Sequence, residues 1–123
     1  MYYEIGVDAA NSGFDFFGGA GLLQPRSKRN ASAPCLYDLF HQKGYTMYRG
    51  MDAYNRSHVK DKVLLFPTDT VSGSLKYALD RSEKDLGLPD LTKACLDNFA
   101  ETAKKGFFMM VEGGKIDLSL IHI

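Results

Sequence analysis

Two carboxylates near the end of the 123-residue sequence carry its clearest chemical potential. In GFFMMVEGGKIDLSLIHI, Gly106 to Ile123, Glu112 directly follows an apolar run, Gly113 and Gly114 come next, and a second carboxylate returns at Asp117. Carboxylate oxygens in this arrangement suit hard or borderline divalent ions such as Mg2+ or Zn2+. A glycine pair lets the backbone turn sharply and approach a cation with no side chain in the way. If the apolar run is a parallel strand, Glu112 falls just past its carboxyl end, where open α/β sheets collect ligand groups. The bland reading of the same residues is a solvated acidic turn, and on residue types alone it is the commoner of the two.

Other reactive residues offer less. His41 and His58 fall where helices should expose them, so they complete no ligand set. Ser72 and Ser74 in VSGSL lack the GxSxG frame of a nucleophile elbow and read as loop serines. The DFFGGAG turn, with Gly18, Gly19 and Gly21, has neither a P-loop lysine nor dinucleotide spacing, so a tight strand exit is expected. Cys35 and Cys95 have no CxxC partner and read as two buried thiols. RSKR, Arg26 to Arg29, lies among polar residues and reads as a solvated loop.

Composition narrows the class. Fifteen basic and fifteen acidic residues cancel, so no net field recruits nucleic acid or an anionic membrane. The opening MYYEIG has neither the charged nor the apolar region of a signal peptide. No run approaches the roughly 18–20 apolar residues of a membrane span.

Positioning the carboxylates falls to a series of short elements. FDFF (Phe14–Phe17), YTMY (Tyr45–Tyr48), KVLLF (Lys62–Phe66) and FFMMV (Phe107–Val111) are the expected strands. The last two are continuously apolar, as strands covered on both faces are. CLYDLFHQKG places Leu36, Leu39, Phe40 and Lys43 at helical spacing and stops at Gly44, so FDFF, this helix and YTMY look like one βαβ unit. GMDAYNRS suits a short helix. The clearest helix is expected after Pro89, capped by Asp90 and covering Leu91–Lys105, with Leu91, Cys95, Phe99 and Ala103 as its buried stripe. Pro67 to Pro89 has no clear period. Alternating α and β elements make a parallel sheet the default. Four strands with exposed edges look like a piece of one.

GFFMMVEGGKID closely resembles the GFFLMVEGGxID segment of alkaline phosphatases, especially their Bacteroides-like branch. SGFDFFGGAG, APCLYDLFHQKGYTMYRG, LKYALDR and DLTKACLDNFAETAKKGFF resemble other family segments in consistent order from Met1 to Asp117. The resemblance implies part of a doubly wound, mostly parallel α/β sheet from an enzyme that hydrolyses phosphate monoesters through a phosphoserine. It also implies two Zn2+ and one Mg2+, a periplasmic or secreted parent, and a family whose members are often homodimers. Glu112 matches the glutamate that helps to hold magnesium, and Asp117 the aspartate that ligates a zinc. The nucleophilic serine, its flanking Asp, the magnesium Thr and the phosphate-gripping Arg are expected before Met1; the other zinc ligands are expected after Ile123.

The pattern breaks at the end. The family's histidine belongs four residues after the zinc aspartate, yet Ile121 stands there and His122 comes one later. On a helix the fourth residue lies about 40° round from the first and the fifth about 140°, so His122 is left out of the site. LSLIHI, residues 118–123, is also the translation of CTG-TCT-CTT-ATA-CAC-ATC, a transposon end used in sequencing libraries. Residues 1–117 are thus read as a central fragment of an alkaline phosphatase domain and 118–123 as adapter sequence. The chain alone is expected to be inactive. The alternative is a non-catalytic binding or self-association module derived from the same fold.

Overall fold

The stretch Val63–Phe66 is buried at all four positions, which only a strand with cover on both faces can be. A computed structural model of the chain describes residues 1–57, 61–69, 75–83 and 85–113. Its elements are α1 (Tyr2–Asn11), β1 (Phe16–Gly18), α2 (Leu36–Gln42), β2 (Thr46–Arg49), α3 (Met51–Arg56), β3 (Val63–Phe66), a 3-10 turn (Ala78–Asp80) and α4 (Leu88–Thr102). The strands form one parallel sheet in the order β1-β3-β2. Register pairs Phe16 with Val63 on one side and Thr46 with Val63 on the other.

Alternation along β3 divides the core. Val63 and Leu65 pack with Tyr48, Tyr54, Leu86, Leu91 and Ala94, so α3 and α4 cover that face. Leu64 and Phe66 pack with Ala10, Phe40 and Tyr45, so α1 and α2 cover the other. The result is the three-layer α/β arrangement expected from the alternating pattern. Each of these large apolar side chains contributes about 1.5–3 kcal/mol by leaving water.

Local chemistry sets the helix ends. Cys35 gives α2 no side-chain cap; the Leu36 N–H donates instead to the Pro25 carbonyl at 2.7 Å. Gly44 takes φ +91°, and its N–H returns to the His41 carbonyl at 3.1 Å, ending α2 as expected. Helix α4 starts three residues before the expected Leu91. Pro89 sits in its first turn, where a missing N–H costs nothing. Asp90 is therefore not the N-cap; it accepts the Gly87 N–H at 2.8 Å from inside the helix. Leu91, Cys95 and Phe99 are buried as expected, joined by Ala94 and Asn98. The helix stops at Thr102 because Ala103 leaves the helical region, with ψ 74°, so Lys104 and Lys105 lie beyond it.

β1, α2 and β2 form the expected βαβ crossover, with β3 lying between the two parallel strands. The last expected strand needs correction. Residues 107–111 take no regular structure. Phe108 and Met110 are 81% and 79% exposed, so the segment has neither the neighbouring ladder nor the double cover that its composition calls for. Helix α1 was not expected at all. It buries Tyr3, Gly6 and Ala10, a stripe too sparse in large apolar residues to stand out as a period.

Candidate functional site

Because all three strands are parallel, their carboxyl ends share one edge of the sheet. That edge carries Gly18 and Gly19 at the end of β1, Arg49 and Gly50 at the end of β2, and Pro67 to Asp69 after β3. β1 leads to α2 on one face, whereas β3 leads to α4 on the other. Adjacent strands whose connections part in this way mark a switch point of the topology, here at β1 and β3.

The Gly-rich stretch after β1 is a strand exit, as expected. The Gly19 N–H donates to the Leu65 carbonyl at 3.3 Å, extending the ladder by one bond. Gly21 takes φ +148°, which favours glycine.

Among the described residues, β1 pairs only with β3, and a cavity of about 560 Å³ lies against β1. Its lining includes Phe14 to Gly18, the α4 residues Leu91, Cys95 and Phe99, and the segment from Gly106 to Glu112. The walls are mainly apolar, and burial pushes the Cys95 thiol pKa above its usual 9.0. Burial thus favours the neutral thiol of Cys95, which packs in the α4 stripe as expected, whereas Cys35, also expected to be buried, is only half-buried.

Glu112 stands on the cavity lining with its side chain exposed. Asp117 lies outside the described residues, as do His58, Ser72, Ser74, Gly114 and the whole of 118–123. The structure therefore brings Glu112 to the cavity but does not describe its pairing with Asp117. His41 is exposed on α2, as expected. No group of three His, Cys, Asp or Glu side chains fit to hold a metal occurs among the described residues.

Two polar groupings escaped the sequence. Lys76 Nζ lies 3.3 Å from carboxylate oxygens of both Asp69 and Asp85. The Ser82 N–H donates to Asp85 at 3.0 Å, and chiefly this bond, helped by Lys76, lowers the Asp85 pKa. This grouping ties the segment after β3 to the approach to α4. The second is Arg49, whose guanidinium lies over the Tyr37 and Phe66 rings. Only the strand register, which sets Arg49 opposite Phe66, could have revealed it.

A small parallel sheet with helices on both faces places the chain in the α/β class. Comparison with known proteins narrows it. The family model described as alkaline phosphatase matches residues 34–121, and the chain belongs to that family. It is similar to alkaline phosphatase 4 of Bacillus subtilis (strain 168), with 37% identity over 78 residues. That match takes in 63% of this chain but spans only 16% of the relative's length. No solved structure matches. Among the described residues, no helix is long and apolar enough to cross a membrane.

Proposed function

We propose that residues 1–117 form the central part of a phosphomonoesterase that hydrolyses phosphate monoesters through a phosphorylated serine carried elsewhere in the polypeptide. In this reading Glu112 helps to hold Mg2+ and Asp117 ligates one of two Zn2+. The supporting observation is that the family match, residues 34–121, spans both carboxylates. Carboxylate oxygens fit both ions, but Glu112 is the one member of the pair within the described residues. When bound, such metals would supply Lewis-acid stabilisation of the phosphoryl oxygens and an activated oxygen nucleophile. What this chain adds is positional: the apolar segment before Glu112 carries a carboxylate to the mouth of a cavity with mainly apolar walls. The parent enzyme is read as periplasmic or secreted and as a homodimer, and residues 118–123 as adapter translation.

Two measurements test this reading. Offered a chromogenic phosphate monoester with Zn2+ and Mg2+, the 123-residue chain should show no turnover above a metal-only blank. Placed in alkaline phosphatase 4 in exchange for the matching segment, residues 34–117 should support turnover. In that chimera, Glu112→Ala and Asp117→Ala should each lower kcat/KM by at least about a hundredfold. Wild-type rates in both variants would refute the assigned roles, and turnover by the bare chain would refute the fragment reading.

The exposed Phe108 and Met110 favour a second reading, a self-associating module that pairs through the open β1 edge. It requires a discrete, cooperatively melting dimer of the bare chain on size exclusion. The fragment reading requires aggregation or partial order.

A further inference from the structure

Exposure alternates along residues 107–111, although among the described residues no strand pairs with them. Phe107 and Val111 are 50% and 46% exposed and Met109 is half-buried, against 81% and 79% for Phe108 and Met110. A period of two belongs to extended backbone with one face against the protein. The inner face is turned to α4: the Phe107 ring lies 5.1 Å from that of Phe99, which lies 6.5 Å from that of Phe16 in β1. Gly106 opens the segment at φ +106°, and its N–H donates to the Ala103 carbonyl at 3.2 Å. It is a hinge, in a conformation that favours glycine, between α4 and the extended residues.

Across the cavity, the outer edge of β1 is complementary. The Val63 N–H donates to the Asp15 carbonyl at 2.9 Å and the Gly19 N–H to the Leu65 carbonyl at 3.3 Å, so residues 15, 17 and 19 turn their backbone groups toward β3. Phe16 and Gly18 turn theirs to the free edge, and among the described residues those groups bond to no other element. Handedness selects the same place for a following strand. Helix α2 carries the chain from β1 to β2 over the face of Leu64 and Phe66, and α3 carries it back to β3 over the opposite face. Helix α4 shares the face of α3, so a crossover of the same hand continues past β3 toward β1. The first free position in that direction is the outer edge of β1.

We propose that residues 107–111 are a strap that swings about Gly106 and closes onto β1 as a fourth parallel strand, giving the order 107–111, β1, β3, β2. Side-chain parity sets the register. Phe16 and Phe107 both meet Phe99 on the α4 face, so they stand level, and Phe108 then stands level with Phe17 on the other face. In that register the Phe108 N–H donates to the Phe16 carbonyl and the Met110 N–H to the Gly18 carbonyl. The amides of Phe107, Met109 and Val111 point away from β1 and stay unpaired. The cavity is the space through which the strap closes, and Glu112 is carried with it to the carboxyl edge of the sheet. The closure rests on sheet geometry alone and holds whether or not Glu112 and Asp117 bind metal.

Two measurements on the 123-residue chain test the closure. In amide hydrogen exchange followed by NMR, Phe108 and Met110 should exchange at least about tenfold more slowly than Phe107, Met109 and Val111. Equally fast exchange at all five, or slow exchange at the other three, overturns the proposal. This pattern is read on the unaltered chain, so it decides even where a variant folds poorly. In the second measurement Phe17→Cys and Phe108→Cys are combined with Cys35→Ser, oxidised at low protein concentration and mapped by peptide mass. A disulfide joining positions 17 and 108 within one chain should form at least about tenfold faster than one joining Phe17→Cys to Met109→Cys, whose side chains lie on opposite faces. Equal rates for the two pairs overturn the register. Bonds formed only between chains show that the β1 edge pairs two copies, and overturn the strap in favour of the self-associating module.

Discussion

Replacing Asn98 with leucine should stabilise the chain, against the usual direction of core substitutions. Asn98 lies in α4 with 1% of its surface exposed, and among the described residues neither its Nδ2 nor its Oδ1 has a hydrogen-bond partner. Each unsatisfied buried polar group costs about 1–3 kcal/mol. The two groups share one side chain and one desolvated space, so a combined cost of about 2 kcal/mol is a conservative figure. Leucine fills a similar volume, carries no polar atom, and gains a few tenths of a kcal/mol in helix propensity. The side-chain bond to this position, from Thr102 Oγ1 to the Asn98 backbone carbonyl at 2.9 Å, survives the change. Asn98→Leu should therefore gain about 2 kcal/mol in urea unfolding at unchanged slope, and raise the melting temperature by roughly 8 °C. Asn98→Asp, which buries a carboxylate at the same place, should lose stability and so confirm the burial. If Asn98→Leu instead lost 1 kcal/mol or more, the carboxamide would have a partner and the reasoning would fail.

Further consequences can be checked with the same chain. A methyl group at Gly6 in α1 would overlap Leu36 Cδ1 and stand 3.2 Å and 3.3 Å from its Cδ2 and Cγ. Leu36 is 1% exposed, so it cannot swing into solvent. Gly6→Ala should lose about 1 kcal/mol in urea unfolding, because an overpacking cost of about 1–3 kcal/mol exceeds the roughly 1 kcal/mol gained in helix propensity. The alkaline limit of stability should follow two buried groups. Burial raises the Cys95 pKa above 9.0, and burial with nearby negative charges pushes Tyr54 from 10.0 up to about 12. Both stay neutral when folded but ionise more readily when unfolded. Their stabilisation is thus complete below the unfolded values and is lost as pH rises from about 9 to 12. A falling melting temperature across that range is expected. Cys95→Ala should be less stable near neutral pH and should flatten the first part of the fall; an unchanged curve would refute the assignment.

What the sequence disclosed depended on how much of each element's environment lay within the chain itself. VLLF announced a central strand because four consecutive apolar residues have only that resting place, and the sheet supplies it. LYDLFHQ announced α2 through its spacing and the glycine that follows it. The order β1-β3-β2 was not legible, because nothing local in FDFF or YTMY specifies which strand becomes the neighbour. Arg49 was invisible for the same reason. Its meaning lies in two rings, one on a helix and one on the paired strand, and no motif spacing encodes that meeting.

The segment FFMMV is the instructive opposite case, since its composition specifies a strand and the folded chain gives it none. Apolar continuity states a demand for cover on both faces, but only a neighbour can meet it, and β1 is separated from this segment by a cavity. With Phe108 and Met110 left in solvent, about 1.5–3 kcal/mol of burial per side chain goes unused. The same segment delivers Glu112, so the unmet demand and the candidate ligand share one stretch of backbone. A metal site built on Glu112 would thus depend on whatever covers 107–111 in the parent enzyme proposed above. The strand propensity of the sequence and its candidate chemistry are one physical problem.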